Sequence, residues 1–181
     1  MTMRTRAVAT VALAAGLLFG CSTTPSTPQA TDELMRKATA ERQEWNKLDP
    51  QLDAFARRGH GYAFFPEVTK GAAGVGGGYG RGVVYEQGQH IGYADITQAS
   101  AGLQLGGQTY SELVVFQNKA ALDRFKQNQM EFAANASAVI AKTGAATNAR
   151  FVDGVVVFVR PIVGAMAEAS LGGQRTRYVA K

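Results

Sequence analysis

Cysteine is nearly absent: the 181-residue chain holds one, Cys21. A single thiol excludes an intrachain disulfide framework and every zinc-finger spacing. Histidine is almost as scarce. His60 and His90 stand alone, without a second histidine or a cysteine at ligand distance, so neither a metal site nor a cofactor is expected. Charge of either sign is thin at 18% of residues, and the formal net charge of +5 is spread without a basic run. That balance suits an anionic surface but falls short of a nucleic-acid footprint. The longest apolar run, Ala7 to Phe19, has thirteen residues, too few to span a bilayer as a helix.

What stands at the amino terminus explains that run. Arg4 and Arg6 precede it and Leu18-Phe19-Gly20-Cys21 ends it, which reads as a secretory signal closed by a lipobox. Cys21 is then the lipidation site, carrying palmitate-type acyl chains. Ser22 follows it in place of an aspartate, which directs the expectation to the outer membrane, facing the periplasm or the cell surface. Loss of Arg4 and Arg6 lowers the formal charge from +5 to +3. Residues 1–20 are therefore expected to be the signal, 21–31 a lipidated cysteine with a Pro/Ser/Thr tether, and 32–181 one domain.

The stretch that stands out is Ala72 to Val84, AAGVGGGYGRGVV, with glycine at 74, 76, 78, 80 and 82. A period of two is strand geometry, so one face is bare backbone and the other carries Val75, Tyr79, Arg81 and Val83. A flexible glycine-rich loop is the alternative, and the flanking Ala72, Val83, Val84 and Tyr85 favour the strand. Such a face calls for sheet coiling or for very close approach by another segment or a ligand. A phosphate loop is excluded. No Lys-Ser or Lys-Thr follows the glycines, and the third position of every dinucleotide fingerprint holds tyrosine, arginine or valine.

In chain order, a helix is predicted from about Asp32, with Leu34, Ala38, Trp45 and Leu48 on its inner face. A second follows an Asp49 cap and Pro50, buries Leu52 and Phe55, and closes at Gly59, with Arg57 and Arg58 in its last turn. Tyr62–Val68 reads as an edge strand broken by Pro66. After the glycine strand, Glu86-Gln87-Gly88-Gln89 makes a hairpin turn. Ile91–Thr97, Ala99–Gly106 and Gln108–Phe116 follow as three strands, the last two joined by a turn at Gly106-Gly107. Asn118 caps a helix facing inward through Leu122, Phe125, Gln129 and Phe132. Lys142–Arg150 is a loop, Val155–Val159 and Gly164–Leu171 are strands, and Gly172-Gly173 turns the chain into Thr176–Ala180. Leu105-Gly106-Gly107-Gln108 recurs as Leu171-Gly172-Gly173-Gln174, read as one turn used twice. The fold class is α+β: a largely antiparallel, glycine-rich, strongly coiled or barrel-like sheet with N-terminal helices and one mid-chain helix.

Nothing in this pattern points to catalysis. Gln98-Ala99-Ser100-Ala101-Gly102 lacks the first glycine of a nucleophile elbow. Glu67, Asp95, Glu112, Asp153 and Glu168 are scattered, and Asp95, inside an apolar strand, fits a hydrogen-bonded structural carboxylate. The chain is not expected to be an enzyme.

From Gly61 to Tyr178 the chain resembles the SYLF family. The resemblance rests on the apolar segment ending in Pro66, on Lys70-Gly71-Ala72-Ala73 running into the glycine strand, and on Ala101-Gly102-Leu103-Gln104-Leu105-Gly106-Gly107-Gln108. Leu113-Val114-Val115-Phe116 before Asn118, and Glu168-Ala169-Ser170-Leu171-Gly172-Gly173-Gln174, complete it. The chain departs at Gly92-Tyr93-Ala94-Asp95-Ile96, where many relatives carry a tryptophan-serine-x-proline-like stretch. The resemblance implies phospholipid binding without catalysis, with phosphoinositide headgroups as ligands of eukaryotic members; some fungal relatives bind actin. Acyl chains on Cys21 would here replace the amphipathic segment with which eukaryotic relatives engage membranes. The expected ligands are anionic phospholipids or phosphoinositide-like headgroups. Lys70 and Arg81, which flank the glycines, are the first candidates for contact, then Arg57 and Arg58, then the pair Arg175 and Arg177. The bland reading of each is a solvated surface charge, or for Arg57 and Arg58 a complement to the helix dipole. The competing functional reading is a structural or carrier protein, in which the glycine face makes room for an apolar ligand or a protein partner binds the open sheet edges.

Overall fold

The protein is described by a computed structural model covering residues 25, 27–130, 138–163 and 174–181. Cys21, the signal, Phe132 and the expected Gly164–Leu171 strand with its Gly172-Gly173 turn lie outside these residues. Every described element falls between Pro28 and Ala180.

Helix α1 runs Pro28–Leu48, four residues earlier than its apolar spacing alone indicates. Thr27 is its cap, accepting from the Ala30 amide at 3.2 Å, and Pro28 takes the first position, where no amide donor is missed. Leu34, Ala38 and Trp45 are buried as expected, but Leu48 is 37% exposed because the helix ends there. Helix α2 is Gln51–Arg58. Asp49 does cap it, its Oδ1 accepting from Gln51 N at 3.1 Å while its Oδ2 accepts from Ala146 N at 3.2 Å. Gly59 ends α2 in extended rather than left-handed backbone. Its glycine is needed for space: a Cβ would lie 2.7 Å from Val115 Cγ1 and 2.9 Å from the Phe116 carbonyl.

Two long strands dominate the sheet. Strand β1 spans Gly61–Glu86 and β2 spans Gln89–Phe116, paired antiparallel over nearly their whole length. The turn between them is the expected one, with Gln87 and Gly88 both at positive φ (48° and 81°). Strand β2 is unbroken where three strands were expected. Gly106 and Gly107 pair with Ala72 and Gly71 inside the ladder, so neither forms a turn. Pro66 leaves its mark as a register shift between Phe65 and Val68.

Helix α3 (Lys119–Lys126) is capped by Asn118 and buries Leu122 and Phe125. Val139–Ile140 forms a short β3, parallel to β4 (Val155–Val163), and the expected loop contains a one-turn helix α4, Ala145–Asn148. Strand β5, Gln174–Ala180, pairs with Gly92–Gln98. Strand β4 instead pairs with Thr109–Phe116 of the same β2. The described sheet of five strands has the order β1-β2-β4-β3 with β5 also on β2, and it is coiled but not closed.

The hairpin doubles back on itself, and the glycines make this possible. A Cβ on Gly82 would sit 2.5 Å from Phe65 Cδ1 and 2.7 Å from the Phe64 carbonyl. On Gly80 it would sit 2.7 Å from Val68 Cγ2 and 2.9 Å from the Glu67 carbonyl. The second half of β1 thus lies with bare backbone against its own first half, and Tyr62 stacks on Tyr85 at 4.9 Å where the two halves come together again. Between the layers lies a core that includes Phe65, Ile96, Phe116, Leu122, Phe125 and Val159, all fully buried. Each such side chain contributes about 1.5–3 kcal/mol. A second core, around Trp45, Leu52, Phe64 and Phe158, joins α1 and α2 to the first layer.

Candidate functional site

The doubled hairpin turns one face of its second half against the core; the other face buries Val83 in the second core and opens toward solvent at Tyr79 and Arg81. Arg81 of β1, Asp95 of β2 and Arg177 of β5 lie abreast, and Tyr79, Thr97 and Arg175 form the next row. Partners in an antiparallel ladder share a face, so these six side chains stand together opposite the glycines. Arg175 and Arg177 are exposed and Arg81 is partly so. Asp95, only 4% exposed, lies between Arg81 and Arg177 in its row. The Tyr79 hydroxyl accepts from Arg81 Nε at 2.6 Å and lies 3.5 Å from Asp95 Oδ1. The row therefore carries Asp95 as the structural carboxylate its sequence position suggested. Three guanidiniums against one carboxylate leave the face positive.

The other candidate cations are placed elsewhere. Lys70 is half-buried on the inner side, where a Cβ on Gly78 would touch its Cγ at 2.9 Å, and its ammonium stands 5.8 Å from the Tyr110 ring centroid. Burial holds its pKa below the ordinary lysine value, against the pull of Glu112. Lys70 and Arg81 flank the glycines in sequence but do not meet in space. Arg57 and Arg58 lie at the end of α2. Arg57 pairs with Asp53 at 2.7 Å, and Arg58 lies over the Phe55 ring at 5.9 Å. Burial pushes the Asp53 carboxyl up, but hydrogen bonds from Arg57 and Arg42 outweigh it and hold the group below its usual range.

Sequence reasoning missed the polar cluster inside the hairpin. Glu112 is wholly buried and accepts from Gln174 Nε2 at 2.7 Å, while Gln174 Oε1 accepts from Gln98 Nε2 at 2.5 Å. Burial pushes the Glu112 carboxyl up to about 8, in spite of the Gln174 bond and the Lys70 charge. It is therefore protonated at neutral pH. Gln98 Oε1, Tyr110 Oη, Glu112 Oε2 and Thr176 Oγ1 have no hydrogen-bond partner among the described residues. Glu112 follows Ser111 and gives no local sign of burial, so only the doubling-back reveals it as internal. A second network, Glu41 bridging Arg160, Ser111 and Trp45, ties α1 to the sheet, with both Arg160–Glu41 contacts at 2.6 Å.

Beside the positive face, a groove of about 760 Å³ runs between the start of α1 and the two halves of β1. Leu34, Lys37, Glu67, Gly78, Arg81 and Gln98 are among its walls. Among the described residues no three of His, Cys, Asp and Glu converge as metal ligands. His60 is bonded to Glu86 at 3.0 Å, and His90 to the Gly92 carbonyl at 2.9 Å. No described helix is long and apolar enough to cross a membrane.

No curated protein matches the chain. A family model does: residues 97–178 match the family described as Ysc84, Las17-binding protein actin regulator. The match runs from Thr97 in β2, through β4, to Tyr178 in β5, so it includes Glu112, Gln174, Arg175 and Arg177, while the glycine strand precedes it. Over residues 97–178 the chain is thus similar to the Ysc84 (SYLF) family.

Proposed function

We propose that this domain docks on anionic phospholipid headgroups, without catalysis, as an envelope protein held to the outer membrane by lipidated Cys21. The observation that carries the reading is the grouping of exposed Arg175 and Arg177 with partly exposed Arg81 on one sheet face. Each guanidinium near an anionic surface adds about 1 kcal/mol of attraction, falling off within a Debye length of about 10 Å at 0.1 M salt. Arginine suits the task because its planar fork binds phosphate through two parallel bonds. Lys70, Arg57 and Arg58 stand apart from this grouping and take supporting or structural parts. The test is co-sedimentation of residues 22–181, which retain every described element, with phosphatidylcholine vesicles and with vesicles that also contain phosphatidylglycerol. Binding confined to the anionic vesicles and released by salt is expected; binding indifferent to lipid charge contradicts the reading.

A second reading has its own observation. The groove beside α1 has the volume of a small-molecule site and a largely apolar wall, which fits a carrier of an amphiphile. The family description, which speaks of Las17 and actin, points instead to a protein partner. Lipid extracted with the purified protein favours the carrier; a stable protein complex in place of vesicle binding favours the third possibility.

A further inference from the structure

Among the described residues, the buried side-chain polar atoms without a hydrogen-bond partner all belong to one cluster inside the hairpin: Gln98 Oε1, Tyr110 Oη, Glu112 Oε2 and Thr176 Oγ1. Their residues are at most 7% exposed. The ladder gathers them. Tyr110 and Glu112 are two apart on β2, Gln174 and Thr176 two apart on β5, and Gln98 pairs with Gln174. The Glu112–Gln174–Gln98 chain ties these segments together, and the Tyr110 hydroxyl lies close to the Gln98 amide but outside bonding geometry. An unpaired buried polar group forfeits the bonds it makes with water in the unfolded chain, so four in one place call for a common partner.

The cluster borders the groove beside α1. Gln98 and Gly78 are both walls of that groove. A Cβ on Gly78 would stand 3.0 Å from Gln98 Oε1 and 2.9 Å from Lys70 Cγ. Glycine at 78 thus keeps the amide oxygen within reach of the groove, where a side chain would press against it. Farther along, Ala30 and Leu34 of α1 and Pro66 of β1 give the groove an apolar stretch. The donors and acceptors then select the guest. The Gln98 oxygen only accepts, while the Tyr110 and Thr176 hydroxyls donate or accept. Glu112, held in its acid form by burial, donates through Oε2 because Oε1 is taken by Gln174. A carboxylate or phosphate has no proton for the Gln98 oxygen, and a cation is opposed by the Glu112 proton. A hydroxyl group accepts and donates at once, and several on one small frame meet all four atoms.

We infer that the groove and the cluster are one binding site, which takes the uncharged, hydroxyl-bearing head of a single-chain amphiphile at Gln98, Tyr110, Glu112 and Thr176, with the chain lying along Leu34 and Pro66. This rests on the carrier reading and gives it a headgroup class; it does not depend on vesicle docking.

The experiment titrates residues 22–181 calorimetrically with monomeric octyl glucoside, with octanoate, which carries a carboxylate on a comparable chain, and with free glucose. The expected result is one saturable site for octyl glucoside, with octanoate and glucose bound roughly tenfold more weakly or less. Octanoate bound as tightly overturns the hydroxyl head and leaves the carrier standing, with Lys70 then drawing the carboxylate. Glucose bound as tightly overturns the amphiphile in favour of a free sugar. Absence of binding by either amphiphile overturns both the inference and the carrier. Tyr110→Phe and Thr176→Val each delete one unpartnered oxygen and keep the shape. Both variants are expected to be at least as stable as the wild type in urea without ligand, while their affinity for octyl glucoside falls roughly five- to tenfold. Unchanged affinity in both variants overturns the inference and leaves internal water as the cluster's partner.

Discussion

The two halves of the β1–β2 hairpin are built to opposite specifications. The first, Gly61–Lys70 with Gln108–Phe116, is covered on both faces, by α1 and α2 on one side and by the second half on the other, and it buries Ser111 and Glu112 among its apolar side chains. The second, Gly78–Glu86 with Gln89–Gln98, has glycine where it meets the first, and its other face carries exposed Tyr79 and partly exposed Arg81 beside buried Asp95. One half is sandwiched and the other is a cover whose outer surface carries the proposed site. The lesson is that the glycine periodicity belongs to the fold, whereas the residues between the glycines belong to the proposed site.

That division can be broken from either side. The largest effect is expected from Gly82→Val. Its side chain must displace the Phe65 ring and the Phe64 carbonyl, so a loss of about 3 kcal/mol or outright failure to fold is expected in urea denaturation. Tolerance of valine at 82 would mean that the halves do not pack as described.

The second effect concerns the interior. Glu112 is raised to about 8, above its unfolded value, so the stability it contributes is present in full below about pH 4.5 and is lost as pH rises toward 8. Over that window the loss approaches 1.4 kcal/mol per pH unit. Glu112→Gln keeps the amide chain to Gln174 and removes the proton, so its stability between pH 5 and 8 is expected to be flat, crossing above the wild type toward pH 8. An unchanged slope would place the buried proton elsewhere. A smaller effect, about 1 kcal/mol, is expected from Thr27→Ala, which deletes the α1 cap. Thermal unfolding reads this directly.

Much of this was legible from residue order. The period of two in glycine announced a strand with a bare face in close contact, and Asn118 and Gln87-Gly88 act through chemistry that is local and therefore visible, whereas the Thr27-Pro28 start of α1 falls in the stretch read as tether. The failures share one cause. Gly106-Gly107 resembles a turn because turns and close strand approaches both select glycine, and only the partner strand distinguishes them. Gly59 does close α2, but it does so in extended backbone and is selected by the close approach of Val115 and Phe116. Lys70 and Arg81 flank the glycines in sequence, but the doubling-back sets the two side chains on opposite faces. The grouping of Arg81 with Arg175 and Arg177 depends on β5 pairing with β2, a contact between residues about eighty apart in the chain, and no local pattern encodes it.

The most direct test sets the arginine face against an equal loss of charge elsewhere. Arg81→Gln, Arg175→Gln and Arg177→Gln together, and Arg57→Gln with Arg58→Gln as the control at the far side of α2, are compared in vesicle co-sedimentation at low salt. The account predicts that the triple variant loses most of its binding to phosphatidylglycerol vesicles, about 3 kcal/mol or roughly a hundredfold, while the control keeps its own. Equal losses per charge removed in both variants would contradict it, because attraction would then come from net charge rather than from this face.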